Sequence, residues 1–127
     1  MAARRASANP VCLVVEDEPF LRMDAADMAR DAGYDVVEAE NADEAIGILE
    51  SRNDIQVIFT DINMPGSMDG LKLAAAVRNR WPPIEIIVTS GVHKLSAADL
   101  PERGVFLSKP YDRNDVTAAL SGFRPRQ

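Results

Sequence analysis

Short apolar runs alternate with longer amphipathic stretches along most of the chain. The short runs are rich in valine and isoleucine, the residue types that fill strands buried on both faces of a sheet. They lie at residues 11–15, 34–37, 55–60, 84–89 and 105–107. The pattern therefore predicts five β-strands.

Between the predicted strands, apolar residues recur at the spacing of one face of an α-helix. They are Leu21, Ala25, Met28, Ala29 and Ala32 in the first helix, Ala42, Ala45, Ile46 and Leu49 in the second, and Val116, Ala119, Leu120 and Phe123 in the last. A third helix is predicted over Leu71–Trp81, and it ends there because the following Pro82 and Pro83 cannot continue a helix.

Capping signals place the helix starts. Asn41 with Glu44 marks the second helix and Asp112 with Asp115 marks the last, since such pairs satisfy the free amides of a first turn. The fourth helix is predicted to be shortened to about one turn: Ser96 and Asp99 form a capping box, with Leu95 able to contact Leu100, but Pro101 follows at once.

Strict alternation of strands and helices favours a parallel sheet with helices on both faces, an α/β fold in three layers. The length of 127 residues suits one domain, expected over residues 11–123, with a flexible N-terminal tail at 1–10 and a C-terminal tail at 124–127. Hydrophobic residues make up 46% of the chain, enough for a core.

Charge and hydropathy exclude some functions. A net charge of -6 opposes binding to a phosphate backbone, so no direct DNA binding is expected. No apolar run is long enough to span a membrane, and no signal peptide is evident, which favours a cytoplasmic protein. The single cysteine, Cys12, lies in an apolar run and is expected to be a buried structural thiol.

Polar residues follow directly after four of the five predicted strands. They are Glu16-Asp17-Glu18 after the first, Asp61 after the third, Thr89-Ser90 after or at the end of the fourth, and Ser108-Lys109 after the fifth. Because the carboxyl ends of parallel strands share one edge of the sheet, where ligands bind in open α/β folds, these groups should converge on one site.

A cluster of Glu16, Asp17 and Asp61 is costly without a cation, and magnesium suits such oxygen ligands together with a substrate phosphate. Lys109 and a hydroxyl from Ser90 or Thr89 would add a positive charge and a donor for phosphoryl oxygens. The remaining carboxylate could then act as a nucleophile, as in aspartyl-phosphate chemistry. Glu18 is better explained as a helix N-cap.

The residues from Val11 to Phe123 resemble the response-regulator receiver domains of two-component signalling. The resemblance rests on Leu13-Val14-Val15-Glu16-Asp17-Glu18, Asp61-Ile62-Asn63-Met64-Pro65, Asp69-Gly70, Thr89-Ser90-Gly91 and Ser108-Lys109-Pro110. It implies a flavodoxin-like sheet of order 2-1-3-4-5 and a protein of the stand-alone, single-domain type. One departure is the loop Gly66-Ser67-Met68-Asp69, one residue longer than the commonest form.

By this resemblance Asp61 is the phosphorylated residue, and a sensor histidine kinase or a phosphotransfer protein supplies its phosphoryl group. Asp17 is a direct Mg²⁺ ligand, and Glu16 assists it. The carboxylate of Asp61 and the backbone carbonyl of Asn63 are the remaining metal ligands from the protein. Lys109 is the charge partner of the phosphoryl group. The chain would catalyse only its own phosphorylation and dephosphorylation and would not be a turnover enzyme.

The resemblance also implies a switch. Its hydroxyl is assigned to Ser90 because the small Gly91 follows it, although Thr89 remains an alternative. Phe106 is the aromatic residue that changes rotamer on activation, and the Lys109–Pro110 bond is expected to be cis. Phosphorylation would change affinity for a downstream protein that the sequence does not identify.

Two other classes compete with this interpretation. Haloacid-dehalogenase-type phosphatases also use an aspartate after a strand, but they carry a second acid where this chain has Asn63. Flavodoxin-type carriers need a phosphate-binding loop after the first strand, where Glu16-Asp17-Glu18 would repel a phosphate. Within signalling, an effector, a phosphorelay shuttle and a phosphate sink all fit the sequence.

Overall fold

The structure, a computed structural model, describes residues 9–64, 68–91 and 97–123. Strands and helices alternate as predicted. In chain order they are β1 (Val11–Val15), α1 (Pro19–Asp31), β2 (Asp35–Ala39), α2 (Ala42–Ser51), β3 (Ile55–Asp61), α3 (Gly70–Arg80), β4 (Glu85–Ser90), a 3-10 turn (Ala97–Asp99), β5 (Gly104–Ser108) and α4 (Arg113–Ser121).

The five strands form one parallel sheet of order β2-β1-β3-β4-β5, which confirms the predicted fold class. Every residue of β1 is buried, because β1 has a strand on either side and helices on both faces. The edge strands are less buried: β5 is half-buried over most of its length, and β2 is half-buried or exposed at every residue except Ala39. Burial is therefore deepest in the central strands, whose carboxyl ends carry Glu16 and Asp61.

Two hydrophobic clusters cover the two faces of the sheet. Alternate residues of a strand point to opposite faces, so Leu13 and Val15 join one cluster while Cys12 and Val14 join the other. The first cluster packs against α2 and α3, and the second against α1 and α4. Cys12 is fully buried, and burial raises the pKa of its thiol to about 12, as expected of a structural cysteine.

Side chains cap the helices as their sequences indicate. The carboxylate of Glu18 accepts from the amides of Phe20 and Leu21, which confirms it as the N-cap of α1. Asp112 and Asp115 form a reciprocal capping box at α4. Gly33 follows the C-cap of α1 with φ 96°, a backbone conformation that glycine adopts without strain.

The boundaries differ from the predictions in places where tertiary contacts decide them. Tyr34 precedes β2 instead of starting it, and its buried hydroxyl donates to the carbonyl of Leu120 at 2.7 Å. Gly70 is the first residue of α3 rather than part of the loop before it. Pro10, placed in the tail by its sequence, is buried, and its carbonyl accepts from the amide of Asp35.

The predicted short fourth helix corresponds to the 3-10 turn Ala97–Asp99. The predicted capping residue Ser96 and its neighbour Leu95 lie outside the described residues, as do residues 65–67, most of the N-terminal tail and residues 124–127. Within the described ranges, no helix is both long and apolar enough to cross a membrane.

Candidate functional site

The polar residues predicted to converge do meet at the carboxyl edge of the sheet. Asp61 ends β3 and pairs in register with Thr89, and Ser90 ends β4 in register with Ser108. Beyond the strand ends, the amide of Lys109 donates to the carbonyl of Ser90 at 3.0 Å. Backbone pairing therefore carries the sheet one residue further and fixes where Lys109 leaves it.

Three carboxylates form a compact cluster at this edge. One oxygen each of Glu16, Asp17 and Asp61 lie within 4.8 Å of one another. Glu16 and Asp61 are buried while Asp17 is exposed, so the cluster opens to solvent on one side. Asp17 is therefore the member of the cluster that faces solvent.

Lys109 supplies the positive charge of the cluster. Its Nζ lies 3.3 Å from Oδ1 of Asp61 and 3.7 Å from Oε1 of Glu16. The approach to Asp61 is close enough for an ion pair, but its angles do not make a hydrogen bond. Among the described residues nothing else donates to Oδ1, which is buried without a hydrogen-bond partner. A buried carboxylate oxygen in this state is open to a further positive partner.

The environment of Glu16 disfavours its charged form. Burial is the largest cause that raises the pKa of this carboxyl, and the charge of Asp61 raises it further. The amide of Glu18, which donates to Oε2 at 3.0 Å, and the charge of Lys109 act in the opposite direction. The net direction is upward, as expected when carboxylates share a buried site.

Arg22 holds the loop that carries Glu16 and Asp17, a role that the sequence analysis missed. Its guanidinium donates to the carbonyl of Glu16 at 3.0 Å and pairs with Glu38 of β2 at 3.2 Å. The loop is thus tied to both α1 and the edge strand. The only signal in the sequence is a basic residue one turn into a helix that follows an acidic loop.

The remaining predicted site residues have different degrees of access. Thr89 and Ser90 are both buried, whereas Asn63 is exposed just beyond β3. Phe106 is half-buried in β5, in register with Val88 of β4. The Lys109–Pro110 peptide bond is cis.

Tyr111 is a second residue beside the site that the sequence analysis missed. Its ring makes an edge-to-face contact with Phe59, with 5.7 Å between ring centres. Burial, followed by the charge of Glu16, raises the pKa of its hydroxyl to about 12. Its only sequence signal was an aromatic residue placed shortly after Lys109.

A groove of about 430 Å³ opens next to Lys109. Leu21, Asp24, Gly91, Pro110 and Tyr111 line it together with that lysine. Leu21 in this lining is 41% exposed, and Phe20 and Met23, also in the first turns of α1, are 79% and 57% exposed. Exposed apolar side chains of this size beside a polar site are typical of a protein contact.

Comparison with known proteins agrees with this geometry. The family model of the response regulator receiver domain matches residues 12–121. The transcriptional regulatory protein PdtaR of Mycobacterium tuberculosis is 32% identical over 115 residues, which cover 85% of this chain and 53% of that protein. The DNA-binding transcriptional regulator NtrC of Salmonella typhimurium is 31% identical over 90% of this chain and 25% of its own length. The chain thus spans about half or less of these curated relatives.

Solved structures show the same likeness. A response regulator receiver protein from Sinorhizobium medicae superimposes with a TM-score of 0.82 at 28% identity, covering 89% of this chain and 92% of that one. The receiver domain of the hybrid histidine kinase CckA gives a TM-score of 0.74 at 30% identity, covering 88% and 96%. The similarity extends over almost the whole length of both of these solved structures.

Proposed function

The chain belongs to the family of response regulator receiver domains, and on that premise we propose that Asp61 accepts a phosphoryl group from the phosphohistidine of a sensor histidine kinase or phosphotransfer protein. The observation that carries the proposal is the pairing of Lys109 with a buried Asp61 oxygen that lacks a hydrogen bond. Because no donor occupies this carboxylate oxygen, its lone pairs are free to bind a metal ion or phosphorus, and it lies beside a cation suited to phosphoryl oxygens.

The residues present fit a divalent metal ion. Glu16, Asp17 and Asp61 offer hard oxygen ligands within 4.8 Å of one another, and one buried Asp61 oxygen is unsatisfied. We propose that Asp17 and Asp61 bind Mg²⁺ directly, that Glu16 assists and that the carbonyl of Asn63 contributes. When bound, the ion supplies positive charge for the oxygens of the phosphoryl group.

The transfer itself requires little from the protein beyond position and charge. An oxygen of Asp61 attacks phosphorus, the P–O bond forms as the P–N bond breaks, and the imidazole nitrogen keeps the bonding electron pair. The donor leaves as neutral imidazole when its other ring nitrogen holds a proton. Lys109 stabilises the negative charge on the transferring group. In this proposal the chain acts only on itself, and water later hydrolyses the acyl phosphate.

The surface around the site supports a protein as phosphoryl donor. Leu21 lines the groove beside Lys109 and is exposed, as are Phe20 and Met23 in the same turns of α1, so that a donor helix could contact apolar residues while presenting its histidine to Asp61. A small phosphodonor would need none of this apolar surface.

Phosphorylation is proposed to switch the affinity of the chain for a downstream protein. Ser90 is buried at the end of β4, and its carbonyl accepts from the amide of Lys109, so the switch candidate and the charge partner of the phosphoryl group are linked through the backbone. Movement of the Ser90 hydroxyl toward the phosphoryl group would leave space that the half-buried Phe106 could occupy. The resulting change in affinity cannot exceed the difference in binding to the two states.

The proposal is tested by labelling the protein with acetyl phosphate in the presence of magnesium and mapping the modified peptide by mass spectrometry. We expect a single phosphate, on Asp61. Asp61→Asn should abolish labelling while leaving the circular dichroism spectrum unchanged, and Asp27→Asn, on the exposed face of α1, should label as the wild type does. Phosphate on any other residue would show that the acceptor is wrongly assigned.

A further inference from the structure

Gly70, the first residue of α3, contacts the backbone of Asp61 more closely than any other amino acid would allow. A Cβ atom built on Gly70 would lie 2.0 Å from the carbonyl oxygen of Asp61. It would also lie 2.7 Å from the Asp61 carbonyl carbon and 2.8 Å from Cα of Ile62. All three neighbours are backbone atoms, so a side chain at this position cannot be accommodated by a rotamer change.

The backbone conformation at Gly70 does not itself require a glycine. Among the described residues, Gly33 is the only glycine with positive φ, whereas Gly70 has the ordinary conformation of a residue in a helix. Alanine favours the helix more strongly than glycine does. Close approach to the end of β3 is therefore the physical reason for a glycine here.

Hydrogen bonds also hold the backbone around this contact in place. The amide of Gly70 donates to the carbonyl of Ile62 at 2.9 Å, and the amide of Ile62 donates to the carbonyl of Thr89 at 2.9 Å. The hydroxyl of Thr60 lies 3.0 Å from the carbonyl oxygen of Asp61. The peptide that follows Asp61 is thus held between α3 on one side and β4 on the other.

From this geometry we propose that Gly70 is a positioning residue for Asp61, a role that rests on the proposed function. The absence of a side chain lets α3 begin against the Asp61 peptide, which keeps the carboxylate beside Lys109 and the acidic pair. Any Cβ at this position pushes the peptide away from α3. Because catalysis by positioning is lost over displacements of about 1 Å, the acceptor should become a poor nucleophile in a protein that is still folded.

The test compares Gly70→Ala with two matched variants. Gly47→Ala makes the same change inside α2, where an added Cβ meets nothing within 4 Å. Tyr34→Phe removes the hydroxyl that binds the Leu120 carbonyl, at the opposite edge of the sheet, and so destabilises the fold without touching the site. Urea unfolding gives the folded fraction of each variant, and the labelling rate with acetyl phosphate is then expressed per folded molecule.

We expect Gly70→Ala to label about 10- to 100-fold more slowly per folded molecule than Gly47→Ala, while Tyr34→Phe keeps the wild-type rate. A second readout is independent of phosphorylation: the amide resonances of Asp61 and Ile62 should shift in Gly70→Ala and stay in place in Tyr34→Phe. Equal rates per folded molecule in Gly70→Ala and Gly47→Ala, or unshifted resonances, overturn the proposal.

Two further outcomes are also decisive. If the wild type is not labelled, the proposed function fails, and the resonances of Asp61 and Ile62 still decide whether Gly70 sets their position. If Gly70→Ala is unfolded, the measurements are repeated in trimethylamine N-oxide, which favours the compact state. Failure to fold even there overturns the proposal, because the glycine would then be needed for the fold as a whole.

Discussion

The ammonium group of Lys109 lies 3.3 Å from a carboxylate oxygen of Asp61, and this contact joins β5 to the end of β3. Replacing the lysine leaves the buried carboxylates of Glu16 and Asp61 without a cationic partner among the described residues. We expect Lys109→Ala to lower the free energy of unfolding in the absence of magnesium by about 1–3 kcal/mol, less than for a fully buried pair because Lys109 is 24% exposed. Urea unfolding measures this.

Magnesium should reduce that loss, since the ion and the lysine neutralise the same carboxylates. Lys72→Ala, a change at an exposed position of α3, serves as the control and should be near neutral. Lys109→Ala should still be labelled to some extent by acetyl phosphate, but phosphorylation should no longer alter the conformation. Stability equal to that of Lys72→Ala would contradict the ion pair.

Magnesium is expected to stabilise the native chain by mass action. An ion that binds only the folded state adds RT ln(1 + [L]/Kd), which is about 1.4 kcal/mol when its concentration is tenfold above Kd. Asp17→Ala should remove most of the increase in melting temperature, whereas Asp27→Ala should retain it. A wild-type melting temperature that does not respond to millimolar magnesium would be incompatible with the metal site.

The pH dependence of stability without magnesium should reflect Glu16. Burial raises its pKa in the folded chain above the ordinary value of 4.5, so the folded state binds more protons than the unfolded state between the two pKa values. Stability should therefore fall as pH rises through this window and stay lower above it. Glu16→Gln keeps an oxygen acceptor for the Glu18 amide and should be more stable than the wild type at pH 7.

Urea unfolding at several pH values in EDTA tests this sign. Glu50→Gln, at an exposed position of α2 paired with Arg80, provides the comparison and should not become more stable. The same Glu16→Gln variant should respond less to magnesium. A variant less stable than the wild type at pH 7 would indicate that the charged form of Glu16 is favoured by the fold.

Phosphorylation should protect amides in the connection between β4 and β5 from exchange. Its described part contains one 3-10 turn and a hydrogen bond from the Gly104 amide to the Pro101 carbonyl, so its amides should exchange rapidly in the free protein. Beryllofluoride, which imitates an aspartyl phosphate, should slow exchange over residues 97–106 in the wild type and have no effect in Asp61→Asn.

The same experiment distinguishes the two candidate hydroxyls. Ser90→Ala should lose the beryllofluoride-induced protection and Thr89→Val should keep it, if Ser90 is the switch. The reverse pattern would move the role to Thr89. Protection that appears only outside residues 91–106 would mean that this chain signals through another face or serves only to pass phosphate along.

Much of the fold follows from local sequence. Valine- and isoleucine-rich runs indicate buried strands, three- and four-residue apolar spacing indicates helices, and capping pairs such as Asp112 with Asp115 mark where a helix begins. These signals act over a few residues, so they can be recognised without knowledge of the rest of the chain. The bond of the Tyr34 hydroxyl to the Leu120 carbonyl, far away in the sequence, could not be recognised in this way.

The order of residue types along the chain is sufficient to identify which chemical groups reach the carboxyl edge of the sheet, because in a parallel α/β fold the carboxyl end of every strand lies on that edge. Glu16, Asp17, Asp61 and Lys109 could be selected on this basis alone. Their identities also limit the chemistry, since clustered carboxylates and one lysine suit a metal ion and a phosphoryl group.

How these groups are held depends on the packing of the elements against one another. The support of Glu16 by Arg22 and the close contact of Gly70 with Asp61 join segments through space, and no local pattern encodes either distance. The orientation that leaves one Asp61 oxygen near Lys109 without a hydrogen bond likewise depends on the packing of α3, β3 and β5. Sequence periodicity determines which elements form, whereas ångström-scale positions arise only when those elements pack together.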